Sequence, residues 1–184
     1  MTARDRLLAA ADRLFYRDGL RASGIDAVIA EAGVAKMTLY SHFKSKDELI
    51  AEYLRQRGAR TREWLATTAA RRAAQSGDWI AGLFAALKEW FASPDYRGCA
   101  FINAASELPD PAHPGRAAIA EHERLFAELV TDVLRKAKVR DAEAATESLV
   151  LIINGAIVSV ACGGPPDVAD AALSAARKVL GRAT

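Results

Sequence analysis

Residues 23–49 read SGIDAVIAEAGVAKMTLYSHFKSKDEL, two short helical patterns separated by one glycine and followed at once by the start of a third. Ile25, Val28, Ile29 and Ala32 recur at helical spacing and predict an apolar stripe on the first helix. Ser23 is placed to cap its N-terminus, with Asp26 three residues on as the capping-box partner. Gly33 is expected to stop this helix, because so sharp a turn calls for a residue that accepts positive φ. Val34 then plugs the gap between helices, Lys36 to Phe43 forms the second helix, and Ser45 with Glu48 repeats the capping signature and opens the third.

This pattern predicts a helix-turn-helix whose second helix lies in a DNA major groove. Leu39 and Phe43 stand four apart and are expected to face inward, which turns Lys36, Met37, Thr38, Tyr40 and His42 outward. A threonine hydroxyl reads base edges and its methyl touches a thymine methyl. Tyr40 with Lys36, Lys44 and Lys46 suits phosphate oxygens, and Ser23 and Gly24 complete the candidate DNA contacts. Lys46 also lies in the first turn of the next helix, where free backbone N–H groups favour an anion.

The stretch AGVAKMTLYSHFKSKDEL, within residues 4–54, resembles the tetracycline-repressor (TetR) family of bacterial transcriptional regulators. Gly33, Leu39, Tyr40, Phe43 and Lys46 occupy that family's motif positions. The resemblance implies phosphate contacts from Tyr40 and Lys46, with Lys36, Met37 and Thr38 facing the groove. Two residues depart from the pattern. Ala35 stands where a capping Ser or Thr is common, a loss of about 0.5–2 kcal/mol of capping. Ile29 stands where helix-turn-helix units often carry Ala, which is expected to set the two helices slightly further apart.

Outward from this stretch, the chain reads as helix throughout. Half its residues are hydrophobic, alanine is abundant, and glycine and proline are few. Residues 3–18 carry Leu7, Leu8, Ala11, Leu14 and Phe15 on one face and back the helix-turn-helix. The helix opened by Ser45 is expected to reach about Arg72, before a break at Gln75–Asp78, and to act as a stiff connector. Further helices are predicted over 79–92, 99–108, 116–138, 141–162 and from Asp167 to near Gly181, with Asp141 capping its helix and a proline loop at 109–115. The expected architecture is therefore all-α, about nine helices: a three-helix DNA-binding domain at 1–48 and an effector-binding and dimerisation domain at 49–184.

A formal net charge of +2 announces no bulk attraction to nucleic acid, so only the clustering of Lys36, Lys44 and Lys46 counts. Cys99 and Cys162 are too few for a disulfide framework, no signal peptide opens the chain, and the apolar run 149–162 is short for a bilayer. A cytoplasmic protein without membrane attachment is expected. No catalytic constellation, phosphate loop or standard metal spacing appears, so neither enzyme activity, cofactor nor metal is expected. His113, His122 and Cys99 match no zinc pattern, and Cys99 reads as a small apolar residue, with a redox sensor beside Arg97 as the alternative.

Two features of the larger domain point to partners. Trp64, Phe84, Leu87, Trp90 and Phe91, with Phe101, Phe126 and the polar Asn103 and Asn154, form a candidate pocket for a small apolar or amphipathic effector. The alternative is that these aromatics simply fill the core. Residues 149–162 are nearly apolar all round, and the resemblance implies a homodimer packed as a four-helix bundle through Leu151, Gly155 and Ser159 on this helix and Leu173, Ala176 and Leu180 on the last. The expected function is a ligand-responsive repressor released from a palindromic operator. The alternative is a helical small-molecule binder or enzyme whose helix-turn-helix is purely structural.

Overall fold

The helical periods of the sequence appear as nine α-helices over residues 1–181, which are the residues that the computed structural model describes. They are α1 (Ala3–Asp18), α2 (Ile25–Ala32), α3 (Lys36–His42), α4 (Lys46–Ser76), α5 (Trp79–Phe91), α6 (Ala100–Glu107), α7 (Pro114–Lys136), α8 (Ala142–Ala161) and α9 (Val168–Val179). No strand occurs among the described residues. The chain packs as two compact units: Met1–Ala59 with Cys99–His122, and Arg60–Gly98 with Glu123–Thr184. α4 and α7 each contribute to both.

In the first unit, Thr2 and Asp5 form a reciprocal capping box that starts α1. α1 buries Leu7, Leu8, Leu14 and Phe15 against Val28 of α2, Leu39 of α3, and Leu49, Tyr53 and Leu54 of α4. Phe15 and Tyr53 meet edge to face, ring centroids 5.4 Å apart. Burial pushes the Tyr53 phenol above its ordinary pKa, so it stays neutral. Phe101, Ala104 and Leu108 of α6 and its exit complete this core. Three helices of seven to sixteen residues enclose little volume, and the extra segment supplies apolar surface that the N-terminal helices lack.

In the second unit, α5 packs on α9, and α9 on α8. Asp78 caps α5: its Oδ1 accepts from the Ile80 and Ala81 N–H groups at 2.8 and 3.1 Å, and its Oδ2 from Arg177 of α9 at 2.9 Å. Burial works against the carboxylate, but the Ala81 N–H, Arg177 and the Ile80 N–H outweigh it and hold its pKa below the usual range. A lowered pKa means that this stabilisation is complete above about pH 4 and fades as pH falls through the depressed value. Asp78→Ala should cost about 1–2 kcal/mol at pH 7, the weight of a lost cap. In urea titrations the gap between variant and wild type should narrow in acid. An unchanged gap at pH 2.5 would contradict the assignment.

Several boundaries differ from the sequence expectation. Ser23 does not cap α2: its hydroxyl is buried and donates to the Leu14 carbonyl at 3.1 Å, and Gly24 takes the N-cap position without a side-chain bond. α4 continues to Ser76, through residues read as a break, and Gly77 follows with φ 72°. α7 begins at Pro114, not Arg116, because proline at a first helical position lacks only an N–H that would be unpaired anyway. Asp141 occupies the N-cap of α8 but makes no side-chain capping bond. α8 keeps the bounds expected over 141–162, and its 20 residues are by length and composition alone apolar enough to match a bilayer's thickness, which the apolar run 149–162 was too short to do. Leu149, Ile153, Ala156 and Ile157 along it are buried in the second unit.

Candidate nucleic-acid interface

Gly33 makes the turn between α2 and α3. It sits at φ 62° and ψ 44°, its N–H donates to the Ala30 carbonyl at 3.2 Å, and the Val34 N–H reaches back to Ile29 at 3.3 Å. This paired closure is a Schellman motif, with Ile29 and Val34 half-buried beside each other's elements against the core. Ala35 then occupies the N-cap of α3 and offers no side-chain bond. Ala35→Ser should therefore stabilise the protein by about 0.5–2 kcal/mol, read as a higher urea midpoint with an unchanged slope. A neutral or lowered midpoint would show that α3 is already satisfied.

α3 has one buried side and one bare side. Leu39 is completely buried, and Phe43 is 2% exposed with the Arg4 guanidinium 5.4 Å over its ring. Both therefore face inward, as their spacing predicts. On the other side Met37 is 77% and Tyr40 42% exposed, while Lys36, Ser41, His42 and Lys44 are also exposed and Thr38 is half-buried. Met37 and Tyr40 thus stand beside Lys36 and Lys44 on the solvent side of a short helix. Lys36 pairs with Asp26 at 3.4 Å, but both side chains are well exposed, so the pair is worth little and opens readily.

Ser45 starts α4 as expected. Its Oγ accepts from the Glu48 N–H at 3.1 Å, while the Glu48 carboxylate accepts from the Lys44 N–H at 2.8 Å, one residue earlier than a standard box. Lys46 is half-buried. Its ammonium donates to the Leu20 carbonyl at 2.6 Å and lies 5.9 Å from the Phe15 ring. Ser23 is the departure on this face: with its hydroxyl spent on Leu14, it presents no side-chain donor or acceptor outward. Gly24 beside it is exposed.

The family model for bacterial regulatory proteins of the tetR family matches residues 7–53. The HTH-type transcriptional regulator LmrA of Bacillus subtilis is 30% identical over 173 residues, covering 86% of either chain. The crystal structure of SCO4454, a TetR-family transcriptional regulator from Streptomyces coelicolor, superposes with a TM-score of 0.81 at 35% identity, over 97% of this chain and 94% of that one. This chain belongs to the TetR family. Reduced NemR from E. coli shares the fold alone, with a TM-score of 0.82 at 18% identity over 96% and 97% of the two chains. TetR-family proteins are DNA-binding transcriptional regulators that bind operators and typically act as dimers, and they are not enzymes. Membership sets aside the reading of a helical enzyme with a purely structural helix-turn-helix.

The residues expected to line a TetR-type effector pocket are scattered by role. Phe84, Leu87 and Phe91 are core side chains, each no more than 3% exposed. Trp90 is half-buried and meets Tyr96 edge to face, while Trp64 is exposed. Phe126 is buried and Asn154 half-buried in the second unit. Phe101 and Asn103 belong to the first unit, where Phe101 stacks on His122 with centroids 3.4 Å apart. The second unit has an open groove of about 370 Å³ lined by other residues, among them Arg62, Glu63, Trp79, Leu129, Asp132 and Lys136, with the Lys136 ammonium 4.7 Å over the Trp79 ring. Of the residues expected at a dimer interface, Leu151, Gly155 and Ser159 are exposed and Leu173 and Leu180 half-buried. Ala176 is completely buried within its own chain, so it is a core residue and unavailable to a partner.

Two polar clusters in the first unit escaped the sequence reading. Glu107 at the end of α6 accepts from the Leu20 and Arg21 N–H groups at 3.1 and 2.8 Å, and its carbonyl accepts from Arg21 Nε at 3.1 Å. His113 sets its Nε2 3.2 Å from Asp47 in the first turn of α4, while its Nδ1 accepts from the Gly115 N–H. His113 thus ties the residue before α7 to the start of α4, and no group of three or more potential metal ligands occurs among the described residues.

Proposed function

We propose that this TetR-family regulator is a repressor that binds a near-palindromic operator as a homodimer and leaves it when a small apolar or amphipathic effector binds. Residues 1–48 read the DNA and 49–184 hold the effector and the second subunit. The observation that carries the reading is the bare face of α3, where Met37 and Tyr40 stand in solvent between lysines. Met37, Thr38 and His42 face base edges, and Lys36, Tyr40, Lys44, Lys46 and the backbone at Gly24 meet phosphates. Two such helices enter successive major grooves with centres about 34 Å apart, or a multiple of it.

The exposed Leu151, Gly155, Ser159 and Val158 of α8, with Leu173 and Leu180 at α9, supply the surface for a second copy. The groove beside Trp79 has the size of a small-molecule site and apolar walls with a charged rim. Effector binding needs a coupling of only about 1–3 kcal/mol to change operator affinity roughly 5–150-fold. Such a protein works in the cytoplasm. The test is a mobility shift on the promoter beside its own gene, together with sedimentation of the free protein. A monomer that retains no genomic fragment at low ionic strength would overturn the reading.

A further inference from the structure

Resting on the DNA-binding reading above, we infer that Glu107, far along the chain from the helix-turn-helix, is a positioning residue for operator binding, because its carboxylate fixes the peptide that anchors Lys46. The Leu20–Arg21 peptide is held from both sides. Its N–H, from Arg21, donates to Glu107 at 2.8 Å, and its carbonyl, from Leu20, accepts the Lys46 ammonium at 2.6 Å. The preceding N–H, from Leu20, also donates to the same carboxylate at 3.1 Å, so two successive amides cradle one anion. A second brace lies one residue from Lys46, where His113 holds Asp47.

The surroundings are shaped for this contact. Gly19 sits at φ 94°, and a Cβ there would stand 3.2 and 3.3 Å from the two carboxylate oxygens, so glycine leaves both the turn and the carboxylate room. Arg21 Nε bonds the Glu107 carbonyl, and Arg116 Nη1 bonds the Ala105 carbonyl, which fixes α6 where the carboxylate leaves it. A lysine ammonium rides on a flexible four-carbon stem, and holding it in place before DNA arrives removes part of the ordering cost of a phosphate contact. Glu107 is an anion in a DNA-binding unit, so simple repulsion predicts that its removal tightens binding. The clamp predicts the opposite sign.

The experiment uses the full chain and the tightest-held duplex that the wild type recovers from sheared genomic DNA. Affinity is measured against salt for wild type, Glu107→Gln, Lys46→Ala and the double variant. Glutamine keeps the shape but turns one N–H donor toward the two amides. Glu107→Gln is expected to bind about tenfold more weakly and to flatten the slope of log affinity against log salt by about one, as Lys46→Ala does. In the Lys46→Ala background it should add little, since both changes remove one contact. A residue that only supports the fold would lower the melting temperature and leave the salt slope intact, which overturns the inference. Equal or tighter binding by Glu107→Gln also overturns it. If Glu107→Gln does not fold, Glu107→Asp, which keeps the charge but cannot span both amides, is read by the same slope. Wild type that recovers no duplex overturns the DNA-binding reading and this one with it, whereas wild-type binding with an unmoved slope overturns this one alone.

Discussion

Phe43→Ala is expected to cost about 3–5 kcal/mol, the scale for emptying a buried phenylalanine site. The ring is 2% exposed, closes the inner side of α3 at its C-terminus, and carries the Arg4 guanidinium on its outer face. Against a total stability of about 5–15 kcal/mol, that loss leaves the first unit partly unfolded at 37 °C. The collapse is local in origin: Leu39, one turn earlier and completely buried, loses its neighbour on the proposed recognition helix. Urea denaturation followed at Tyr53, in the same core, measures it directly. A midpoint within experimental error of wild type would mean that α3 is held by something other than its apolar side.

The second large effect is electrostatic. Replacing Lys36, Lys44 and Lys46 together by alanine removes three proposed phosphate contacts per recognition helix. Each released counterion contributes about 0.9 to the salt slope, so the slope falls by about 2.7 for each half-site. At about 0.15 M salt this is roughly a 100-fold loss of affinity per half-site. A homodimer on two half-sites loses twice the slope, about 5.4. The same titration therefore separates one bound head from two. Stability should change far less, because Lys36 and Lys44 are exposed, the solvent-exposed Lys36–Asp26 pair is worth little, and Lys46 gives up one bond to the Leu20 carbonyl. A variant that loses discrimination among sequences but keeps its salt slope would place these lysines at base edges instead.

Most of the helix-turn-helix was legible in the sequence because its determinants are local. Gly33 had to be left-handed, and Leu39 and Phe43 had to share a face, on spacing alone. Ser23 failed as a cap because its hydroxyl found the Leu14 carbonyl nine residues back, a partner that no capping rule anticipates. Pro114 was misread for the opposite reason: a local rule, proline as a loop former, gave way to another local rule, proline as a first helical residue. Glu107 lies 86 and 87 residues from its partners, and nothing in periodicity links such distances. The aromatics of the second unit marked apolar volume correctly but not whether that volume was filled. Phe84, Leu87 and Phe91 fill it.

The first unit is assembled from two separated stretches, Met1–Ala59 and Cys99–His122. A ribosome delivers them in that order, so a nascent chain that has emerged only as far as Ala59 still lacks Phe101, Ala104, Leu108 and the carboxylate of Glu107. The first unit becomes complete only after the intervening 39 residues, and then α6 and the start of α7, have been synthesised. Translation products that end before residue 107 therefore carry α3 without the α6 contacts that complete the core of its unit.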